Sequence, residues 1–159
     1  DLKSYRKSLF NNSNPFTPSV NLMFALDESL KMMKEEGLEN IFKKHEKHKR
    51  AISEAAKKLN LKLFASEKSL SPSITAIIAE NFDAESFRKS IQLKYGIQLA
   101  GGQDHLKGKI FRVGHLGYIN DKDIISAITA IGLTLYEKNI VNESDIGQAL
   151  IEAKKNLDG

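Results

Sequence analysis

The chain has 159 residues, 41% of them hydrophobic, with no apolar run near the ~20 residues of a membrane helix, which favours a globular domain without a membrane partner. Its net charge of +4 comes from 24 basic and 20 acidic side chains interspersed along the sequence, which argues against a nucleic-acid partner. Because it contains no cysteine, these residues form no disulfide, thiolate metal site or thiol nucleophile, and we expect a cytoplasmic protein.

Apolar residues at helical spacing predict a short helix in "DLKSYRKSLF" and a longer one that ends at Gly37. Thr17 stands before Pro18, the arrangement of a helix N-cap followed by proline at the first helical position. We therefore expect the longer helix to begin there and to run to about Glu36. One stripe of this helix holds its apolar residues Leu22, Leu26, Leu30 and Met33.

From residue 38 onward, helical patterns alternate with short strand patterns. A helix is predicted from Leu38 to about Leu59, and another from Glu143 to about Leu157. Between them, "NFDAESFRKSIQLKYG" and "DKDIISAITAIGLTLYEKN" also predict helices, the second with Asp121 as its cap. Four strands are predicted in "LKLFA", "ITAIIA", "IQLA" and "KIFRVGH". The predicted fold is α/β, a small and largely antiparallel sheet covered by helices, in a single domain.

Arg112 lies inside the predicted strand "KIFRVGH", between two segments rich in turn-forming residues. In a strand, Ile110, Arg112 and Gly114 share one face, and both faces are otherwise apolar or small. A buried guanidinium needs an anion, because desolvating it unpaired costs several kcal/mol. Its planar fork matches a carboxylate through two parallel hydrogen bonds. The anion is either an acidic side chain of the same domain or the carboxylate of a ligand.

Other motifs give weaker signals. The glycine pair Gly101 and Gly102 lacks the strand and helix context of a nucleotide site and is typical of a hairpin connection. There is no Gly-x-Ser-x-Gly motif, so a hydrolase has little support. The four histidines have no obvious convergent carboxylate or thiolate partner, so we predict no metal site at His45, His48, His105 and His115.

Two blocks of the chain resemble a known family. "NPFTPSVNLMFALDESLKMMKEEGLENIFKKHEKH" followed by "GGQDHLKGKIFRVGHLGYINDKDI" is similar to the C-terminal part of class V aminotransferases, in the alanine–glyoxylate and serine–glyoxylate (serine–pyruvate) transaminase group. The resemblance implies a homodimer with the type I fold of pyridoxal-phosphate (PLP) enzymes. Residues 38–159 would then form the small domain, and residues 1–37 would be helices facing the other domain and the partner subunit.

The same resemblance implies site residues. Arg112, in the "FRVGHLG" block, would bind the carboxylate of the substrate. Thr17, in the "PFTP" block, would reach the PLP phosphate of the neighbouring subunit. Asn14 stands where some members have a tyrosine that touches this phosphate, and we include it in the predicted site. A hydroxyl beside free backbone N–H groups at a helix N-terminus forms an anion site, which is consistent with this role.

The family also implies an activity that these residues do not complete. The substrates would be a small amino acid, serine or alanine, and a 2-oxo acid, glyoxylate or pyruvate. None of the lysines matches the family's PLP-binding lysine, which precedes this region in the family, so we predict that no catalytic lysine is in this chain. We expect a C-terminal piece of a transaminase, inactive without the large domain. Two alternatives stay open: a non-catalytic interaction domain of this fold, and a cysteine-desulfurase relative that lacks the reactive cysteine.

Overall fold

The computed structural model describes residues 1–158. In these residues, a four-stranded sheet is combined with six α-helices. The helices are α1 (Leu2–Leu9), α2 (Val20–Glu36), α3 (Leu38–Lys58), α4 (Ala84–Tyr95), α5 (Asp121–Glu137) and α6 (Glu143–Asp158). The strands are β1 (Lys62–Leu63), β2 (Ile74–Ile78), β3 (Ala100–Gly101) and β4 (Ile110–Gly114). No helix in this described range has both the length and the apolar content that a membrane crossing requires.

The chain divides into two compact units, Asp1–Ile41 and Phe42–Gly159, and the division falls inside α3. The first unit contains α1 and α2. Gly37 ends α2 as predicted: its φ of 83° is a conformation that favours glycine, and its N–H donates to the carbonyl of Met33 at 3.0 Å. The second unit contains the sheet, most of α3 and the last three helices.

The sheet confirms the predicted small antiparallel arrangement. Its strand order is β1-β2-β4-β3, and all three neighbouring pairs are antiparallel. Arg112 in β4 is paired with Ala76 of β2 on one side and with Ala100 of β3 on the other. The order places β4, the strand of Arg112, in the interior of the sheet.

The two outer strands are shorter than the sequence predicts. β1 covers only Lys62–Leu63 of "LKLFA", although the N–H of Phe64 still donates to the carbonyl of Ala76. The strand expected in "IQLA" is instead Ala100–Gly101. An edge strand has one neighbour, so pairing there depends on tertiary contacts more than on side-chain alternation.

One face of the sheet packs on the helices. Ile77, Phe111 and Val113 are buried in one core with residues of α3 to α6. Phe82, Phe87 and Phe111 form an aromatic group in this core, with ring centroids 4.7 Å apart for the first two and 5.1 Å for the last two. Alternation along β4 therefore places Arg112 on the opposite face.

The start of α2 corrects the sequence prediction. Its N-cap is Ser19, not Thr17, and no side chain makes a cap hydrogen bond there. The carbonyl of Pro18 accepts from the N–H of Val20 at 3.0 Å, forming a tight turn before the helix. The first helical bond runs from the N–H of Met23 to the carbonyl of Ser19 at 3.1 Å. The predicted cap at Thr17 is therefore wrong because this turn delays the helix.

The start of α5 differs by one residue, because Asn120 and not Asp121 is its cap. The Oδ1 atom of Asn120 accepts from the N–H groups of Lys122 and Asp123 at 2.9 and 3.2 Å. The carboxylate of Asp123 accepts from the N–H of Asn120 at 2.9 Å, which completes a capping box. Asp121 is the first helical residue, and its carboxylate binds Lys47 and His48 of α3.

Candidate functional site

Arg112 is placed by β4 on the face of the sheet opposite the helices. Its directly paired neighbours are Ala76 and Ala100, and directly paired residues of antiparallel strands share one face. Each of these neighbours has only a methyl group, so the strands on both sides leave room for the guanidinium. Arg112 is half-buried, which lowers the dielectric around its charge without closing it off from a ligand.

The guanidinium of Arg112 is anchored at one nitrogen only. Its Nε donates to the carbonyl of Gly101 at 2.9 Å. Within residues 1–158, no acidic side chain lies within ion-pair distance of Arg112, and its two terminal nitrogens make no hydrogen bond. The sequence left two candidate anions for Arg112, an acidic side chain of the same domain and the carboxylate of a ligand. The described structure contains no acidic side chain in that position.

A second arginine, Arg88 of α4, lies beside the carbonyl that anchors Arg112. Its Nε donates to the carbonyl of Leu99 at 2.7 Å, and its Nη1 donates to Glu85 Oε2 at 2.9 Å. The pair lies against Gly101, where a Cβ would stand 2.5 Å from Glu85 Oε1 and 2.6 Å from Arg88 Nη1. A side chain at Gly101 would thus displace the ends of both side chains, and the sequence pattern does not indicate this close approach.

The sequence nevertheless carries a signal for Arg88. It lies four residues after Ala84 and three before Ile91, both fully buried, so it occupies the inward stripe of α4. A charged residue in such a stripe needs a specific partner near the core.

Three of the four histidines form a buried polar cluster at the end of β4. His45 Nδ1 is 3.0 Å from the carbonyl oxygen of His115, and His115 Nε2 is 3.0 Å from Thr75 Oγ1. His48 Nε2 is 2.9 Å from Asp121 Oδ1. The first two contacts tie α3 and β2 to the residue that follows β4, and the third ties α3 to α5.

Burial controls the protonation of this cluster. Desolvation lowers the pKa of His115 to about 4, and the nearby His48 and His45 add to the effect. Burial also lowers the pKa of His48, although its hydrogen bond to Asp121 opposes this. Burial would raise the pKa of Asp121, but hydrogen bonds from Lys47 and His48 bring it below its usual value. Neutral His115 therefore holds this end of β4 at neutral pH.

The predicted phosphate ligands Thr17 and Asn14 lie in the first unit, in the segment between α1 and α2. Both are exposed, and neither side chain makes a hydrogen bond to residues 1–158. Arg112 lies in the second unit. In the described range, no group of three or more potential metal ligands is present.

Comparison with known proteins gives several relatives, although no family model matches. The "Soluble hydrogenase 42 kDa subunit" of Anabaena cylindrica is 51% identical over 86% of this chain and 36% of its own length. An uncharacterized aminotransferase of Methanocaldococcus jannaschii is 38% identical over 92% of this chain and 39% of its own. Serine–glyoxylate aminotransferase of Methylorubrum extorquens is 34% identical over 79% of this chain and 32% of its own length. The chain thus spans between 32% and 39% of these relatives.

Solved structures agree with the aminotransferase names. Ureidoglycine–glyoxylate aminotransferase from Bacillus subtilis matches with a TM-score of 0.85 and 28% identity, over 94% of this chain and 38% of its own. Pyridoxamine–pyruvate aminotransferase from Mesorhizobium loti matches with a TM-score of 0.84 and 28% identity, over 91% of this chain and 37% of its own. The fold is therefore that of the PLP-dependent aminotransferases. The chain belongs to class V of that family and matches a C-terminal piece of its larger members, which confirms the resemblance seen in the sequence.

Proposed function

We propose that this chain is the substrate-carboxylate-binding part of a PLP-dependent aminotransferase. The reaction moves an amino group from a small amino acid, serine or alanine, to a 2-oxo acid, glyoxylate or pyruvate. Several relatives are named for glyoxylate as the acceptor, and three of these are named for serine as the donor. Because the chain spans well under half of each relative, the activity belongs to the complete polypeptide.

The observation that carries this proposal is the state of Arg112. Its guanidinium is fixed at Nε by the Gly101 carbonyl, while its terminal nitrogens have no partner in residues 1–158. A half-buried cation of this kind binds an anion with little competition from water. Two parallel donors fit the two oxygens of a carboxylate, a group that both an amino acid and a 2-oxo acid carry.

In the reaction, Arg112 binds and orients. Holding the carboxylate at two oxygens fixes the direction of the bonds at the substrate's α carbon, which is the positional contribution that a bidentate arginine makes. PLP, when bound, supplies the electron withdrawal needed for amino-group transfer. Arg112 exchanges one carboxylate ligand for another when the oxo acid replaces the amino acid, so a single residue serves both half-reactions.

The residues before α2 fit the phosphate of this cofactor. Thr17 and Asn14 are exposed donors without hydrogen-bond partners in the described structure, and they precede the N-terminus of a 17-residue helix. The positive end of the helix dipole favours an anion at that position. We assign Thr17 and Asn14 to the phosphate, reached from the partner subunit of a homodimer.

The same proposal covers the organisation of the protein. Residues 38–159 are the small domain, and residues 1–37 are helices that face the large domain and the partner subunit. The apolar stripe of α2 is exposed in the first unit, as an unfilled interface requires. The complete protein is a cytoplasmic homodimer in this proposal.

Substitution of Arg112 tests the function. In the complete enzyme we expect Arg112→Ala to lower kcat/KM by an amount equivalent to about 2 to 5 kcal/mol, because a desolvated charge pair with the substrate is lost. Arg112→Lys restores part of this, since an ammonium retains the charge but lacks the planar fork. Steady-state kinetics and the melting temperature are measured on the same preparations.

A structural role for Arg112 gives a different result. If Arg112 only stabilised the sheet, Arg112→Ala would lower the melting temperature while activity per folded molecule stayed near that of the wild type. That outcome contradicts the proposal, and it would leave the non-catalytic interaction domain as the better interpretation.

A further inference from the structure

The free edge of the sheet beside Arg112 is closed by side chains. β3 is the last strand in the order, so only one of its sides pairs with a strand. The N–H of Gly102 donates to the carbonyl of Ile110, so alternate residues of this segment pair with β4. The carbonyls of Leu99 and Gly101 therefore point to the free edge, and each accepts from an arginine Nε, that of Arg88 or Arg112.

The two arginines approach this edge from opposite faces of the sheet. Arg112 shares a face with Ala100, so its chain passes over that small side chain to reach Gly101. Arg88 comes from α4 on the helix-covered face, and its side chain is only 21% exposed. Its ion pair with Glu85 lies so close to Gly101 that a Cβ there would stand within 2.6 Å of both partners. The ion pair thus supports the residue whose carbonyl anchors Arg112.

We propose that the Glu85–Arg88 ion pair is a positioning element for Arg112. It fixes the Gly101 carbonyl, and that carbonyl in turn sets the direction in which the terminal nitrogens of Arg112 present themselves to a carboxylate. β3 has two residues and one neighbouring strand, and the ladder bonds of this segment are made by residues on either side of Gly101, so the Gly101 carbonyl itself has no ladder bond. Arg88 does not touch the substrate. This inference rests on the proposed role of Arg112.

The test uses the complete holoenzyme with Arg88→Met. Methionine keeps much of the side-chain length but removes both the bond to Leu99 and the bond to Glu85. We expect KM for the amino acid to rise about tenfold, since small misplacements of a binding group have large kinetic effects. The single-turnover rate with an amine that lacks a carboxylate should not change, and neither should the absorbance of bound PLP.

Two further variants separate positioning from general stability. Arg88→Lys retains one donor and should restore part of the affinity for the carboxylate. Lys89→Met removes a neighbouring positive charge that has no partner within residues 1–158, so it should leave KM unchanged.

The outcomes distinguish this inference from the function on which it rests. If Arg88→Met slows the reactions of the amino acid and of the amine without a carboxylate equally, or lowers only the melting temperature, the Glu85–Arg88 ion pair is structural and the inference is wrong. If Arg112→Lys changes the discrimination between the amino acid and the amine without a carboxylate while Arg88→Met does not, only the positioning role of the Glu85–Arg88 ion pair fails. If Arg112→Lys leaves that discrimination intact, the proposed role of Arg112 fails first, and the positioning role fails with it.

Discussion

Arg112 and His115 are three residues apart, yet their polar groups are satisfied in opposite ways. Arg112 has one anchor at Nε and two terminal nitrogens without partners in residues 1–158. His115 is fully buried, with Nε2 bonded to Thr75 and its carbonyl bonded to His45. The first arrangement leaves binding capacity for a ligand. The second ties the end of the strand to β2 and α3, and it leaves the buried Nδ1 atom of His115 without a hydrogen bond in residues 1–158. This difference supports the proposed binding role of Arg112 and is consistent with a structural role for His115.

The low pKa of His115 predicts a pH dependence of stability. The group has a pKa of about 4 in the folded protein and 6.5 when unperturbed. Between these values the unfolded state binds more protons, so the free energy of unfolding falls as pH drops from 6.5 towards 4, by up to about 3 kcal/mol. Above pH 6.5 the group contributes no slope. Burial of His48 acts in the same direction, because its pKa is also lowered.

Urea unfolding across this pH range measures the effect. His115→Asn keeps a polar partner for Thr75 but removes the titration, so the slope of unfolding free energy against pH should flatten. His105→Asn is a matched control, because it removes a histidine from the exposed turn Asp104–Leu106. An unchanged slope in His115→Asn would assign the pH dependence to other groups.

For single residues, the sequence predicts which position is unusual, but it does not predict which groups bind the side chain at that position. Arg112 stands out because a charge interrupts an apolar strand. Its lack of an acidic partner depends on where distant carboxylates lie, and one of them, Glu85 of α4, is bound to Arg88. The importance of Gly101 is likewise a matter of close approach between elements. Neither feature can be obtained from local spacing.

At the element scale, helix existence is predicted well and helix starts are not. The six predicted helices are all present, because apolar residues repeat at helical spacing over at least eight residues. The predicted helix starts are wrong where two candidate caps are close together in the sequence. These pairs are Thr17 with Ser19 and Asn120 with Asp121. Local turn geometry decides between them, and the sequence pattern contains no information on that geometry.

The corrected caps give a paired prediction. Asn120→Ala removes the acceptor of two N–H groups at the start of α5, so we expect the free energy of unfolding to fall by about 1 kcal/mol. Thr17→Ala removes no cap and should leave that free energy unchanged. In the complete enzyme, Thr17→Ala should instead weaken PLP retention, because one hydrogen bond to the phosphate is lost.

Chemical unfolding of both variants and equilibrium PLP release from Thr17→Ala provide the measurements. Equal destabilisation by Thr17→Ala and Asn120→Ala would mean that Thr17 caps α2 in solution. Unchanged PLP release from a Thr17→Ala variant that remains dimeric would contradict its assignment to the phosphate.

At the scale of the whole molecule, the first unit leaves its apolar residues uncovered. The predicted stripe of α2 is present, but none of its members is buried: Leu22, Leu26, Leu30 and Met33 are 69%, 59%, 55% and 46% exposed. A patch of this kind on a protein surface marks an interaction site or leads to aggregation. The sequence predicts the stripe from periodicity alone, but periodicity does not identify what contacts it.

The stripe therefore provides the last prediction, on assembly. In the complete protein we expect Leu26→Glu to shift the homodimer towards monomer, because a carboxylate would lose its hydration when the interface forms. Glu35→Lys is the control, since it changes charge on the opposite side of α2, where helical spacing places it away from the stripe. Light scattering after size exclusion gives the mass of each variant over a dilution series. A stable dimer in Leu26→Glu with a lowered melting temperature would mean that the stripe packs within one subunit, against the large domain. An unchanged dimer with an unchanged melting temperature would contradict both interfaces, because a buried glutamate without a partner is not tolerated at either of them.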